Sequence, residues 1–543
     1  MNSQLLKKKI INILKEEIPE EALNEIKPKL KVFVQFDNNF GDYSTNLLFL
    51  LQNLSPQQRN TIYQKLTKKL SFYFEKIEIV NNYINFYLNN AILVKFFKQI
   101  QKKQKFIIKQ NDWRRQRVNI DYVSANPTGP LTLGNARGAV IGDVLKNVFN
   151  LLGAKTTTEY YVNDRGKQID ILGKTVLAYL NNQTITEEMY QGSYVKEIAL
   201  MLKNKIKQQD NIQAIGKKAA ELILEKLIKK SLNKFNTQHN YFFYESDLYA
   251  KNIDKKVLKI FQQKKLLFKH DGALFLNLKK LGETKDEVLI KSDGEPTYFF
   301  SDILHYYYKF FYLKNKIEIL IVSSDHLDHC RRLKTALKIF NIKNQQFQPL
   351  IYQMVHLKID NKNIKMSKRA GTFITIDDLL QTITADVLRF FFLQKSPDTT
   401  LELDLELMKK QTIDNPYWYL QYSYVRLLSI IKKAKKIKKT TPSSKDMYKL
   451  AYKAIMNDNA KDILKTLYKF PDLLNMIAKD KKTNIITDYL LNIAKKIHLF
   501  YESEKIIENN NQVKQHLLVF IKSVINFYHL LFAILQISPR QKM

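Results

Sequence analysis

Residues 118–153 read VNIDYVSANPTGPLTLGNARGAVIGDVLKNVFNLLG, and the order of patterns within them decides the fold. Residues 118–123 (VNIDYV) have strand composition, residues 126–129 (NPTG) are turn chemistry, and from residue 138 to 152 apolar residues recur at helical spacing. A strand, a tight turn and a helix in that order open a Rossmann-type βαβ unit. Gly134, placed in the turn, lets a ligand approach the backbone closely. The helix start beyond it offers unpaired N–H groups to phosphate. Thr132 and Asn135 can add side-chain hydrogen bonds on the same side. By itself the stretch is an ordinary strand–turn–helix with a capping Asn.

Outward from it, the pattern divides the chain into three parts. Upstream, residues 1–109 alternate amphipathic helix patterns with short strand-like runs at 31–36 and 83–88, and a polar, basic stretch at 109–117 (KQNDWRRQR) reads as a linker. Downstream, residues 168–235 are Lys-rich and helical, as an insertion on a sheet would be. Strand runs return at 273–276, 288–291 and 317–323 (IEILIVS), the last with the composition of a buried strand. From Asp386 onward the pattern is almost wholly helical, with a Lys-rich break at 432–445 (KKAKKIKKTTPSSK). The expected architecture is a multidomain α/β protein. An α+β N-terminal domain spans residues 1–115, a Rossmann core 116–384 carries a helical insertion at about 170–240, and an all-α bundle spans 385–543.

Bulk properties narrow the class. At 543 residues and 45% hydrophobic the chain can bury several cores. Its 88 Lys and Arg against 52 Asp and Glu give a formal charge of +36, which attracts polyanions. A nucleic-acid footprint and a Lys-rich surface of biased composition explain that excess equally well, so motifs must decide. A single cysteine, Cys330, excludes a disulfide framework and fits a reducing cytoplasm. The N-terminus mixes Lys with Glu at helical spacing, unlike a signal peptide. The longest apolar run, residues 524–537, is too short to span a bilayer and is expected as a buried helix, so no membrane association is expected.

A second cationic site stands at residues 365–372, KMSKRAGT. Two lysines, an arginine and a serine beside a glycine make a loop suited to a triphosphate, whose developing charge they would stabilise. The Gly134 turn and the KMSK loop together resemble the paired signatures of class I aminoacyl-tRNA synthetases. Further stretches narrow the resemblance to arginyl-tRNA synthetases. They are FGDYSTN (40–46), SANPTGPL (124–131), EYYVNDRGKQI (159–169), VLIKSDGEPTYFFSDI (288–303), KMSKRAGTFITIDDLL (365–380) and DNPYWYLQYSYVR (414–426), and they occur in that family's order.

The resemblance implies an arginine–tRNA ligase that uses ATP with Mg2+, L-arginine and tRNA(Arg), acts as a monomer in the cytoplasm and carries no structural metal. It implies catalytic roles for Thr132, Asn135, Lys365, Ser367 and Lys368. ATP would be bound by Pro130, Leu131, Gly134, Asp325 and Met366. Arginine would be bound by Asp121, Ser124, Asn126, Glu245, Tyr298, Asp302 and His326, and tRNA by Tyr422, Tyr501 and Met543. These residue types suit the substrate: a guanidinium is planar, permanently charged and carries five N–H donors, so it needs carboxylates and neutral acceptors in its plane. Tyr298 and Asp302 are spaced i, i+4 on an expected helix and share a face. His326 and His329, in SSDHLDHCRR (323–332), suggest a metal site by type, but the family has none there and a packing role suffices.

The chain departs from the family at one point. The usual His-x-Gly-His signature is Thr132-Leu133-Gly134-Asn135 here, so Asn135 must supply the N–H donor of the second histidine. A non-catalytic tRNA-binding descendant of a synthetase is the alternative, favoured by that substitution and opposed by the intact KMSK. Another class I synthetase fits less well: a cysteine enzyme typically has a Cys/His zinc site, and an acidic substrate would be repelled by Asp302 and Glu245.

Overall fold

The computed structural model describes residues 2–36, 40–102, 113–360, 362–364, 374–437, 446–508 and 512–543. Its centre is a five-stranded parallel sheet. The strands in chain order are β1 (Arg117–Asp121), β2 (Lys155–Val162), β3 (Tyr241–Tyr244), β4 (Ile317–Ser323) and β5 (Phe347–Tyr352). In space they run β5-β4-β1-β2-β3, each neighbour parallel, with Asp121 opposite Leu320 of β4 and Glu159 of β2. This is the doubly wound order, and the order in which strands are added reverses between β1 and β4, the place where such sheets bind ligands.

Both faces of β1 are buried, with Val118 and Ile120 against the layers and Asn119 and Asp121 turned into a polar interior. The strand ends at Asp121, two residues before the apolar pattern predicts. Val123 and Ser124 adopt φ of 69° and 35°, so the backbone leaves the sheet there. A β-branched residue in that region is strained by about 1–3 kcal/mol, and such strain collects at functional sites.

Helix α1 (Leu133–Leu151) follows and buries Ala136, Ala139, Val140, Val144, Leu145 and Val148. It starts five residues earlier than its apolar spacing indicates, so Gly134 lies in its first turn and not in a preceding loop. Gly142 packs flat on Tyr122, where a Cβ would stand 2.3 Å from the ring. The Lys-rich insertion is helical as expected, with α2 (Lys167–Leu180) followed by Ser193–Leu202 and Ile212–Ile223. The strands at Ala273–Leu276 and Glu287–Ile290 form a separate antiparallel sheet with Leu267–His270. Helices α3 (Tyr298–Phe311) and α4 (Leu327–Lys338) flank β4.

The N-terminal part is α+β, a four-stranded antiparallel sheet ordered Val32–Val34, Tyr43–Thr45, Tyr83–Leu88, Phe74–Val80, with helices Ser3–Glu17, Pro56–Leu70 and Asn90–Lys102. The C-terminal part is helical but not from Asp386 without interruption. Leu401–Asp404 is a strand that pairs in parallel with Val355–Ile359. Helices α5 (Pro416–Ile437), α6 (Asn484–Ser503) and α7 (Gln515–Leu535) form the bundle with shorter ones between. Residues 524–535 of the apolar run belong to α7, which begins earlier than the run alone indicates and ends at Leu535. By length and composition α7 could cross a membrane, but 78% of its most apolar window is buried inside the protein. Arg389, fully buried, ties it to the core by donating from Nε to Leu535 O at 2.9 Å while Nη1 pairs with Asp143 of α1 at 3.0 Å.

Candidate active site

At the β1/β4 switch point a cavity of about 530 Å³ opens over the strand ends. Asp121, Ser124, Asn126, Asn135, Tyr298, Asp302 and His326 all line it, although they lie on four separate stretches of chain. The strained turn at Val123 and Ser124 makes this possible. Ser124 Oγ donates to Asp121 Oδ1 (2.6 Å) and accepts from Tyr161 N (3.0 Å), while Tyr160 Oη donates to Ala125 O (2.7 Å). Asn126 is held by donation from Nδ2 to Gln168 Oε1 at 2.7 Å.

Thr132 is the N-cap of α1, and the sequence reason is local. Asn135 Oδ1 accepts from Thr132 N (3.0 Å) and from Thr132 Oγ1 (2.8 Å), which satisfies a donor that the helix start leaves unpaired. The Asn135 carbonyl is therefore consumed by capping, and its amide nitrogen is the part left to face the cavity. Thr132 spends its hydroxyl proton on Asn135, so it meets a ligand as an acceptor. Of the other residues expected around ATP, Leu131 is buried and contributes only backbone, its O accepting from Ile376 N at 3.1 Å. Pro130 lines a neighbouring groove with Asn126 and Gln168, and Asp325 is exposed in the turn after β4. Lys365, Met366, Ser367 and Lys368 lie outside the described residues, but Thr375, just beyond them, forms an antiparallel bridge with Thr132.

Helix α3 carries the far wall. Thr297 caps it by accepting from Phe300 N at 3.3 Å, which sets Tyr298 in the first turn, about half exposed, and Asp302 one turn on. Burial raises the Tyr298 hydroxyl pKa above its ordinary value. Asp302 Oδ2 is engaged by His329 Nε2 at 2.6 Å. Glu245 stands one layer back. It is buried, accepts from Ser301 Oγ at 2.7 Å, and its pKa is pushed up by burial. Ser301 and Tyr161, which it touches, line the cavity, and Glu245 itself does not.

Beneath the cavity lies a buried charge cluster that the sequence reading missed. Lys309, fully buried on α3, reaches Glu318 (3.0 Å), Glu159 (3.3 Å) and Asp121 (3.6 Å), and His305 Nε2 is 2.5 Å from Glu159 Oε1. Asn119 Nδ2 donates to Glu159 and to Glu318, both at 3.0 Å. Burial raises the pKa of Asp121 and of Glu318 in spite of Lys309. For Glu159 burial works the same way but Lys309 and His305 outweigh it, and its pKa falls well below the carboxylate range. Asp121, Glu159 and His305 offer ligand atoms within 4.8 Å of one another, a metal-like spacing. The Lys309 ammonium already supplies the cation those carboxylates need. One signal was available: Asp302, His305 and Lys309 are spaced i, i+3, i+7, a single helix face running from the cavity into the core.

On the helical bundle, Arg426 of α5 lies 4.6 Å from the centre of the Tyr422 ring and 4.2 Å from that of Tyr501, and Tyr422 stacks on His498. Met543 is exposed at the C-terminus, where Gln541 O accepts from Lys432 Nζ at 3.4 Å. These residues sit apart from the cavity.

Comparison with known proteins agrees with this layout. The sequence matches the Arginyl tRNA synthetase N terminal domain over residues 4–88, the tRNA synthetases class I (R), catalytic domain over 96–392, and the DALR anticodon binding domain over 420–543. It is 32% identical to an arginine–tRNA ligase of Staphylococcus carnosus over 536 residues, 96% of each chain. It is 31% identical to that of Staphylococcus aureus over 530 residues, 94% of each. Among solved structures, the Thermus thermophilus arginyl-tRNA synthetase superposes with TM-score 0.74 at 17% identity, covering 99% of this chain and all of that one. The Plasmodium falciparum enzyme superposes with TM-score 0.77 at 19% identity, covering 99% of each. A class I catalytic sheet with an α+β unit before it and a helical anticodon-binding unit after it, matched along nearly its whole length by curated relatives, places this chain in the arginyl-tRNA synthetase family.

Proposed function

We propose that this chain activates L-arginine with ATP and transfers it to the 2′-hydroxyl of the terminal adenosine of tRNA(Arg). The observation that carries the reading is the cavity at the switch point, which gathers Asp121, Asn126, Tyr298 and Asp302 around one space with Asn135 at its edge. Arginine's guanidinium docks against Asp302 and Tyr298, with Glu245 behind them strengthening the negative field. Its α-amino end docks against Asp121, Ser124 and Asn126, and His326 closes the side toward β4. A site whose carboxylates need a charged partner rejects neutral analogues, because those would leave the acceptors unpaired.

The arginine carboxylate attacks the α-phosphorus of ATP in line and displaces pyrophosphate. The Asn135 amide nitrogen donates to the phosphates from the α1 N-terminus, where the helix dipole also favours negative charge. Lys365 and Lys368, by their place in the KMSK motif, neutralise the phosphates from the other side, with Ser367 and Met366 in the same loop. Mg2+ enters with ATP. Pro130, Leu131, Gly134 and Asp325 frame the nucleotide, Leu131 through its backbone.

The units are 1–115, binding the tRNA body, 116–384, performing the chemistry, and 385–543, reading the anticodon with Tyr422, Tyr501 and Met543. The protein works as a cytoplasmic monomer. The test is charging of tRNA(Arg) with labelled arginine beside Asn135→Ala and Asp302→Ala. Charging by the wild type that falls in both variants supports the reading. Tight tRNA binding with no charging overturns it in favour of a non-catalytic tRNA-binding descendant.

A further inference from the structure

Asp302 does not stand alone in the wall of the cavity. Its Oδ2 is held by His329 Nε2 at 2.6 Å, and both side chains are partly open to solvent, His329 by 25% and Asp302 by 31%. His329 is the third residue of α4, in its first turn, and Asp302 comes from the second turn of α3, so the contact locks the two helices that flank β4 at the mouth of the site. The imidazole is itself oriented: its edge meets the Phe299 ring at 5.5 Å and 86°. Hence Oδ2 already accepts one hydrogen bond, which fixes the rotation of the carboxylate and leaves Oδ1 for a ligand's N–H groups.

We propose that His329 is a positioning residue for arginine: it holds Asp302 through Oδ2, presents Oδ1 to the guanidinium, and when protonated competes with that guanidinium for the same carboxylate. This rests on the reading of Asp302 as the guanidinium's partner. The physical argument is charge balance. A neutral imidazole donating from Nε2 fixes the carboxylate and leaves its full negative charge for the substrate. An imidazolium neutralises Asp302 beforehand and repels a second cation placed beside it.

The groups that face His329 are few. Asp302 and the Phe299 ring meet it from α3, and Glu287 approaches from strand Glu287–Ile290, where it is paired with Arg332 at 2.5 Å. From its own helix and the turn before it come His326, at 6.5 Å between ring centres, with Asp328 and Arg332, which pair with each other. Burial pushes the His329 pKa down, but the hydrogen bond and charge of Asp302 outweigh it, and the net shift is upward from 6.5. The upward shift favours the protonated form, whose proton arginine must displace to gain the whole charge of Asp302.

The experiment is steady-state charging of tRNA(Arg) by the full chain with arginine varied, across roughly pH 6 to 8.5, for the wild type, His329→Gln, His329→Ala and Asp302→Asn. Glutamine keeps a donor near the Nε2 position and cannot titrate. In the wild type, arginine KM rises as pH falls, while kcat follows its own profile. In His329→Gln the rise is absent and KM stays near the wild-type value at high pH. In His329→Ala, KM at high pH rises about tenfold over the wild type because a hydrogen bond to a charged group is lost, the further rise on acidification is absent, and kcat changes far less. The same pH-dependent KM in His329→Gln as in the wild type overturns the proposal, and so does an unchanged KM in His329→Ala. His326, Glu245 and Asp121 remain in all these variants, so the difference between wild type and His329→Gln isolates His329. Asp302→Asn separates the two levels. An unchanged arginine KM there removes the reading of Asp302 itself, whereas a large rise with His329→Ala at wild-type KM removes only the role given to His329.

Discussion

Thr132 and Thr375 face each other across an antiparallel bridge, and Ile376 N donates to Leu131 O at 3.1 Å. The N-cap of α1 and the chain that emerges from the KMSK stretch are therefore anchored to one another. In the proposed function Lys365 and Lys368, which precede Thr375 in the sequence, neutralise the phosphates. Lys365→Ala and Lys368→Ala are each expected to lower the rate of arginine-dependent pyrophosphate exchange about 100-fold, with arginine KM little changed. A variant that instead raised arginine KM and kept kcat would assign the loop to arginine binding.

Asn135 caps α1 through Oδ1, which leaves Nδ2 for the donation to phosphate proposed above. Asn135→Asp retains an acceptor for the cap and removes the donor. It is expected to keep the melting temperature while losing charging activity by about 100-fold or more, since it also brings negative charge toward the phosphates. Asn135→Ala loses both and costs a further ~1 kcal/mol of stability. Thermal denaturation beside a charging assay distinguishes the two atoms.

Lys309 balances Asp121, Glu159 and Glu318, and all four side chains are buried. Lys309→Met leaves buried carboxylates without their cation and is expected to destabilise the protein by about 3–5 kcal/mol, read from the denaturant midpoint at neutral pH. An effect below about 1 kcal/mol would show the cluster to be solvated.

Asp42, in the FGDYSTN stretch, joins the N-terminal sheet to the helical bundle. It is fully buried, accepts from Leu88 N at 2.8 Å, and pairs with Lys465 and Lys469 at 3.0 Å each. Burial would raise its pKa, but the two lysines and the backbone donor outweigh that, and the net shift is downward from 3.8. A depressed carboxylate contributes stability that is complete above its unfolded pKa and is lost as pH falls through the folded one. Stability measured by denaturant should therefore fall on acidification below about pH 4, and Asp42→Asn should be less stable at pH 7 with a flatter acid limb. An acid limb identical to the wild type would assign the loss to other carboxylates.

Arg426, bracketed by the Tyr422 and Tyr501 rings, presents a planar cation and aromatic faces together. Tyr501→Ala is expected to raise the KM for tRNA about tenfold, the worth of one base–aromatic stack, and to leave arginine KM unchanged. Equal KM for tRNA would mark the trio as helix packing.

The order of units, the Rossmann opening, the helical insertion and the helical C-terminal part were legible in the chain because each rests on local periodicity, which a window of a dozen residues contains. The pair Tyr298 and Asp302 was legible for the same reason, as two positions on one face of one helix. Long-range competition decided the rest. Strand β1 stops at Asp121 because Ser124 finds partners on β1 and β2, holding Val123 in a conformation its own side chain disfavours. Gly134 became helix because Thr132 and Asn135 satisfy each other across the cap. The charge cluster below the site joins α3 to β1, β2 and β4, residues up to 199 positions apart, and no spacing along the chain announces that three carboxylates will share one lysine. Burial made that sharing obligatory, since ions removed from water must find each other. The partners of Asp302 were settled in the same way, by which helix α3 came to lie against.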